Sequence, residues 1–177
     1  TRLLDNGALG IVIPHVDTAD EAREIVSALK YPPMGHRSIG PTPQLAGVSL
    51  GKAETGRVMN ASTLVAVMLE SPQAIENAEA IAAVEGIDVL MIGTSDLTAE
   101  MGIPGEFTDD RVVEAYERLI AACAKHGKWP GMGGIYDEPL MQRYIQMGAR
   151  FLLSGADLAF LTAAASARSR FLRGIAL

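Results

Sequence analysis

Two carboxylates, Glu70 and Asp96, each follow an apolar run, and no other residues of the chain are so suited by type and spacing to chemistry. Glu70 lies in Leu64-Val65-Ala66-Val67-Met68-Leu69-Glu70-Ser71-Pro72, and Asp96 in Ile87-Asp88-Val89-Leu90-Met91-Ile92-Gly93-Thr94-Ser95-Asp96-Leu97. Each run reads as a buried parallel strand, and in parallel α/β folds the carboxyl ends of strands face the ligand site. Two carboxylates meeting there can seat a hard divalent cation, with water and substrate oxygens completing its shell. Each also has a structural reading. Glu70 suits the positive end of a following helix, and Asp96 suits an Asx turn.

Further polar residues lie in places where they could act. Arg37 sits in a loop after Pro32-Pro33, and its guanidinium could fork onto a substrate carboxylate or hold a structural salt bridge. His15, beside Pro14 at a strand end, could transfer a proton or support the site structurally. His36 and His126 read as surface residues, and Asp157 as a helix N-cap. The run Gly131-Met132-Gly133-Gly134 could cradle a phosphate. Asp137 and Glu138 open the next helix and would repel an anion, so the glycines read instead as room for close approach of backbone or substrate.

The elements that must position these residues alternate between strand and helix. Leu9 to Pro14 is a short strand. Thr18-Ala19-Asp20-Glu21 is a capping box opening a helix to about Leu29. Residues 31–50 form a loop long enough to suggest function. The strand ending at Glu70 follows, then Ser71 as N-cap with Pro72 at the first position of a helix to about Val84. Thr108 is expected to cap a helix with Val112, Val113, Tyr116, Leu119, Ile120 and Cys123 on one face, closed by Gly127. Trp129 to Gly134 is a strand, Asp137 to Met147 a helix, Phe151 to Ser154 a strand and Leu158 to Phe171 an Ala-rich helix. Five βα units suit either a doubly wound sheet or part of a (β/α)8 barrel, which needs eight.

Composition limits the function classes. The 177 residues are one domain's worth, 49% hydrophobic but only 5% aromatic, which implies an aliphatic core. A net charge of −6, with no basic cluster, argues against nucleic acid or an anionic membrane as partner. Cys123 is the lone cysteine, so no internal disulfide can form, and the chain fits a reducing, cytoplasmic setting. No apolar run reaches the ~18 residues of a membrane span, and no signal-peptide pattern is present. The chain starts at Thr1 rather than Met, which suggests trimming or an incomplete sequence.

Several segments, in order, resemble the HpcH/HpaI aldolases, the metal-dependent class II pyruvate aldolases. They are Gly7-Ala8-Leu9-Gly10-Ile11-Val12-Ile13-Pro14-His15-Val16, Glu21-Ala22-Arg23, Tyr31-Pro32-Pro33-Met34-Gly35-His36-Arg37, Met68-Leu69-Glu70-Ser71-Pro72-Gln73-Ala74 and Ile92-Gly93-Thr94-Ser95-Asp96-Leu97, the last continued by Thr98-Ala99-Glu100-Met101-Gly102. The resemblance runs from Thr1 to about Arg170. It implies a (β/α)8 TIM barrel of which this chain carries about the last five βα units, as one partial domain over residues 1–177. It makes Glu70 and Asp96 the metal ligands and gives Ser95, with Asp96, a substrate contact. The family's active-site histidine and arginine fall in the part this chain lacks. Two departures bear on substrate range: Thr94 stands where the family usually has proline, and Met68 where several members have a glutamine that reaches the substrate.

The implied reaction is reversible cleavage of a 4-hydroxy-2-oxo acid to pyruvate and an aldehyde. A 2-oxo acid can chelate Mg²⁺, Mn²⁺ or Co²⁺ through its carboxylate and keto oxygens, and the ion stabilises the enolate left when the C3–C4 bond breaks. No lysine lies at a strand end, which disfavours a Schiff-base aldolase. A citrate-lyase-β-like CoA-ester lyase and a non-catalytic partial barrel are the alternatives. The former wants a basic pocket for the CoA phosphates, which is not evident. The resemblance implies a homo-oligomer, commonly a hexamer. The last helix, with Leu158, Phe160, Leu161, Ala164, Ala165, Phe171 and Leu172, continues through Ile175 to an apolar Leu177 and could pack on its own barrel or on a neighbour's. Five units of a barrel would leave two open sheet edges and an uncovered inner face.

Overall fold

The computed structural model describes residues 1–40 and 42–176; Leu177 therefore lies outside the described residues. Among the described residues, five strands form one parallel sheet whose spatial order follows the chain: β1 (Gly10–Ile13), β2 (Leu64–Leu69), β3 (Val89–Gly93), β4 (Trp129–Gly133) and β5 (Phe151–Leu152). The sheet curls as part of a barrel, with helices on its outer side. These are α1 (Arg2–Asp5), α2 (Ala19–Leu29), α3 (Lys52–Ser62), α4 (Pro72–Glu76), α5 (Ala78–Ala82), α6 (Thr94–Glu100), α7 (Asp110–His126), α8 (Glu138–Met147) and α9 (Asp157–Arg173).

Side-chain alternation divides each strand between two layers. Val65, Val67 and Leu69 of β2, with Leu90 and Ile92 of β3, pack outward against Ala22, Val26, Ile81, Tyr116 and Leu119 of the helices. Leu64, Ala66 and Met68 alternate with them and face inward beside Val89, Met91 and Phe151. The register pairs Leu69 with Ile92 and Met68 with Met91. One step further, Glu70 and Gly93 stand side by side on the inner layer, at the carboxyl ends of neighbouring strands. Toward the sheet margins the inner layer is less covered: Val12 and Leu153 are both 37% exposed.

Local chemistry explains most element ends. Thr18 and Glu21 form the complete capping box of α2, an arrangement whose N-cap alone contributes about 1 kcal/mol. Ser71 caps α4 by accepting from the Ala74 N–H at 3.0 Å, with Pro72 at the first position. The helix expected from Ser71 to Val84 is instead two short helices that share Asn77, which ends α4 and begins α5. The Asn77 side chain donates to the Asp17 carbonyl at 2.8 Å. Asp109, not Thr108, caps α7, accepting from Arg111 N–H. Gly127 closes that helix at φ 66°, a left-handed conformation that favours glycine. Asp157 is the first residue of α9 rather than its N-cap, which is Ala156.

The 31–50 segment contains a 3₁₀ turn at Pro43–Leu45, and α3 follows it where no helix was expected. At the other end, α9 forms as expected but no residue along it is buried. Leu158, Phe160, Leu161, Phe171 and Leu172 are all more than half exposed, so the reading in which this helix is buried on its own chain does not hold among the described residues. None of the described helices is long and apolar enough to cross a membrane.

Candidate functional site

The carboxyl ends of β1, β2 and β3 converge on the Glu70 carboxylate. Burial leaves Glu70 2% exposed. Its Oε2 accepts the backbone N–H of His15 at 2.8 Å, and His15 Nδ1 lies 3.2 Å from the same oxygen. His15 has φ 52°, a left-handed conformation uncommon for a residue with a side chain though less so for histidine. The next N–H, of Val16, donates to the Met68 carbonyl at 3.0 Å, so the end of β1 is stitched to the end of β2. The His15 imidazole itself is largely exposed, with 72% of its side-chain area accessible.

Glu70 Oε1 lies over the bare Cα of Gly93. A Cβ on that glycine would come within 2.3 Å of Oε1 and 2.7 Å of Glu70 Cγ. The missing side chain is what lets the carboxylate lie against the end of β3. Three residues further on, Asp96 occupies the first turn of α6, and it and Ser95 are both exposed. No hydrogen bond engages the Asp96 carboxylate among the described residues. A buried carboxylate with one oxygen left by its protein partners, next to a turn bearing a free carboxylate, suits a hard cation that takes its other oxygens from water or substrate. Among the described residues no group of three or more His, Cys, Asp or Glu side chains could enclose a metal ion, and a two-carboxylate seat needs no such group.

Thr94, between Gly93 and Ser95, is fully buried. Its hydroxyl lies 2.8 Å from the Gly133 carbonyl at the end of β4 and 2.8 Å from the Tyr116 hydroxyl of α7. Burial pushes the Tyr116 phenol well above its ordinary range, so it stays neutral. Tyr116 stacks on Tyr144, their ring centroids 4.1 Å apart, and Tyr144 donates to the Phe107 carbonyl at 2.6 Å. The glycine run of β4 gives the close approach expected of it. A Cβ on Gly131 would meet Met91 Cβ at 2.9 Å, and one on Gly134, at φ 85°, would meet Ser95 Oγ at 2.8 Å. Met68 is half-buried two residues before Glu70, packed with Ala66 and Met91, and presents an apolar inner wall beneath the carboxylates.

Arg37 does not join this site. Its guanidinium is enclosed, donates to Asp5 at 2.9 Å and lies 4.6 Å from the centre of the Tyr31 ring. Nearby, Lys30 Nζ donates to the Thr63 carbonyl just before β2, and Gln44 to the Ala8 carbonyl just before β1. This is the amino end of the sheet, opposite Glu70, so the expected substrate contact is corrected to a structural ion pair. The sequence offered no signal for the His15 N–H, since a backbone donor leaves no mark on residue type. Nor did it pair Thr94 with Tyr116, which reads as one more residue on an apolar helix face. A crevice of about 460 Å³ between α4, α6 and α7, lined by Pro72, Ile75, Met101, Arg111 and Arg118, lies on the helical side and contains none of the strand-end carboxylates.

Comparisons with known proteins bear on the family and the fold. Residues 1–164 match the family model described as HpcH/HpaI aldolase/citrate lyase. The chain is 42% identical over 160 residues to the 4-hydroxy-4-methyl-2-oxoglutarate aldolase tasA of Hapsidospora irregularis, covering 88% of this chain and 59% of that protein. It is 37% identical over 166 residues to a 4-hydroxy-2-oxo-heptane-1,7-dioate aldolase of Escherichia coli, covering 94% and 63%. The crystal structure of an HpcH/HpaI aldolase from Desulfitobacterium hafniense DCB-2 superposes with a TM-score of 0.89 at 31% identity, over 99% of this chain and 68% of that one. The chain thus spans about three fifths of the length of the curated relatives it matches.

Proposed function

The chain belongs to the HpcH/HpaI aldolase/citrate lyase family, and on that premise we propose that it carries the metal-binding part of a class II aldolase. The reaction is reversible cleavage of a 4-hydroxy-2-oxo acid to pyruvate and an aldehyde. The observation that carries the proposal is the buried Glu70 carboxylate, held by His15 N–H over the bare Gly93 and next to the turn that bears Asp96. Glu70 and Asp96 are the two protein ligands of a divalent cation, Mg²⁺, Mn²⁺ or Co²⁺, as an all-oxygen donor set favours. A cation held between them would supply Lewis-acid stabilisation of the negative charge that develops on a 2-oxo acid when its C3–C4 bond is cleaved.

The chain's own residues orient and exclude. His15 N–H fixes one Glu70 oxygen and leaves the other toward the ligand position. Ser95, exposed at the start of α6, offers a hydroxyl to the 2-oxo acid, and Asp96 borders the same ligand. Met68 and Met91 close the inner wall with apolar surface, which keeps water from beneath the reacting centre. The complete protein is proposed to be a (β/α)8 barrel and a homo-oligomer, commonly a hexamer, acting on small molecules. Relatives named as aldolases at 36–42% identity favour this over a CoA-ester lyase.

The test is substitution of each carboxylate by its amide. Glu70→Gln and Asp96→Asn are expected to abolish metal-dependent pyruvate release by the complete enzyme while thermal midpoints stay within a few degrees of wild type. Activity unchanged by EDTA, or by either substitution, would refute the proposal.

A further inference from the structure

We infer that Thr94 and Tyr116 form a buried hydroxyl relay that positions the Asp96 turn, and with it one half of the metal seat. The direction of the relay follows from donor counting. The Gly133 carbonyl can only accept, so the single Thr94 hydroxyl proton goes to it, at 2.8 Å. At the second contact, also 2.8 Å, Tyr116 must therefore donate to Thr94 Oγ1. The chain of bonds runs from α7 through the first residue of α6 to the end of β4, and such chains polarise and strengthen one another.

Asp96 depends on that relay because α6 has little of its own to hold it. The helix is seven residues long, and its N-cap is Gly93, which has no side chain to cap with. So short a helix is marginal without tertiary support. Thr98 bonds back to the Ser95 carbonyl at 2.9 Å, which steadies the turn internally but does not fix its direction. Leu97 supplies buried apolar area, which is non-directional. Thr98 also accepts the Gly105 N–H of the following loop at 3.2 Å, but among the described residues the side-chain bonds from the turn to another strand or helix are those of Thr94, two residues before Asp96. They also fix the spacing to β4, where Gly134 leaves room for Ser95 Oγ. Thr94 and Tyr116 touch neither cation nor substrate and act through Asp96 as positioning residues.

The inference rests on Asp96 being a metal ligand, so the experiment measures Mn²⁺ affinity of the full chain by electron spin resonance, alongside thermal midpoint. Thr94→Val keeps the branched volume and removes the hydroxyl; it should weaken Mn²⁺ binding about tenfold, at the low end of what removing support from a metal ligand does. Thr94→Ser restores the relay and should bind like wild type. Tyr116→Phe leaves the bond to Gly133 and should lose less than Thr94→Val. Wild-type affinity in Thr94→Val overturns the relay, and so does equal loss in Thr94→Val and Thr94→Ser. If Thr94→Val fails to fold, unchanged affinity in Tyr116→Phe overturns it instead. Asp96→Asn separates the two readings. If it binds Mn²⁺ as wild type does, the ligand assignment fails and the relay's role falls with it. If it abolishes binding while Thr94→Val does not weaken it, the ligand assignment stands and the relay alone is refuted.

Discussion

Adding one methyl group at Gly93 should disable the site while leaving the fold in place. Gly93 holds φ −84°, which alanine adopts without strain, so Gly93→Ala asks nothing of the backbone. It asks something of Glu70. The new Cβ would lie 2.3 Å from Oε1, where ordinary contact begins near 3.4 Å, so the carboxylate must retreat by about an ångström. Glu70 is enclosed and has few places to go, and the available movement sacrifices the 2.8 Å bond from His15 N–H. A displacement of about 1 Å at a catalytic group costs ~10²-fold in rate, or roughly 2.7 kcal/mol of barrier. The assay is pyruvate release from a 4-hydroxy-2-oxo acid by the proposed complete enzyme, with Mn²⁺ affinity of this chain measured in parallel. Gly40→Ala serves as control, since nothing lies within 4 Å of its added Cβ. Gly93→Ala with activity and metal affinity near those of the control would refute the reasoning, because it would mean the carboxylate position does not matter or that the strand end yields freely.

Other outcomes follow from the same geometry. Asp5→Asn strips the counter-charge from the enclosed Arg37; since Asp5 keeps 35% exposure, the loss should be about 2 kcal/mol, below the ~3–5 kcal/mol of fully buried pairs. Denaturant melts should record that loss with no change in Mn²⁺ affinity, and a changed affinity would return Arg37 to the site. The Cys123 thiol, pushed up to about 12 by burial, should resist iodoacetamide at pH 8 in the native protein and react once unfolded. Sedimentation should find an oligomer at micromolar concentration, with Leu161→Asp on the exposed face of α9 shifting it toward monomer; a monomeric wild type would contradict the proposed assembly.

What could be read from the sequence was what short-range rules determine. The strands came from apolar runs, and the two starting caps of Thr18 and Ser71 came from side-chain chemistry. The carboxylates could be located at strand ends because the same period that buries Leu69 outward turns Glu70 inward. The misses are long-range. α3 has a glycine within it and only Gly56 and Met59 buried, a weak amphipathic signal set by what it packs against. The break at Asn77 reflects its bond to the Asp17 carbonyl, 60 positions away in sequence. Arg37 looked like an anion site from its flanking Pro and Gly residues, yet Asp5, 32 positions earlier, determines its role. The Thr94 relay likewise depends on residues 22 and 39 positions further along the chain.

The coincidence of chain order and sheet order has a consequence for how the molecule comes into being. Each strand pairs only with its predecessor and successor, as Gly10 does with Leu64, Ala66 with Val89, Val89 with Trp129 and Gly131 with Phe151. Among the described strands no pairing skips a strand, so each loop closure spans one crossover of one or two helices. Emerging from the ribosome, β2 can dock on β1 and β3 on β2 while later residues are still being added. The carboxylate of Glu70 and the turn holding Asp96 would then come together early, around β1 to β3, whereas the tie from Thr94 to Gly133 must await β4. The metal seat would thus be assembled in two stages of synthesis: its ligands first, and the bond that fixes their alignment last.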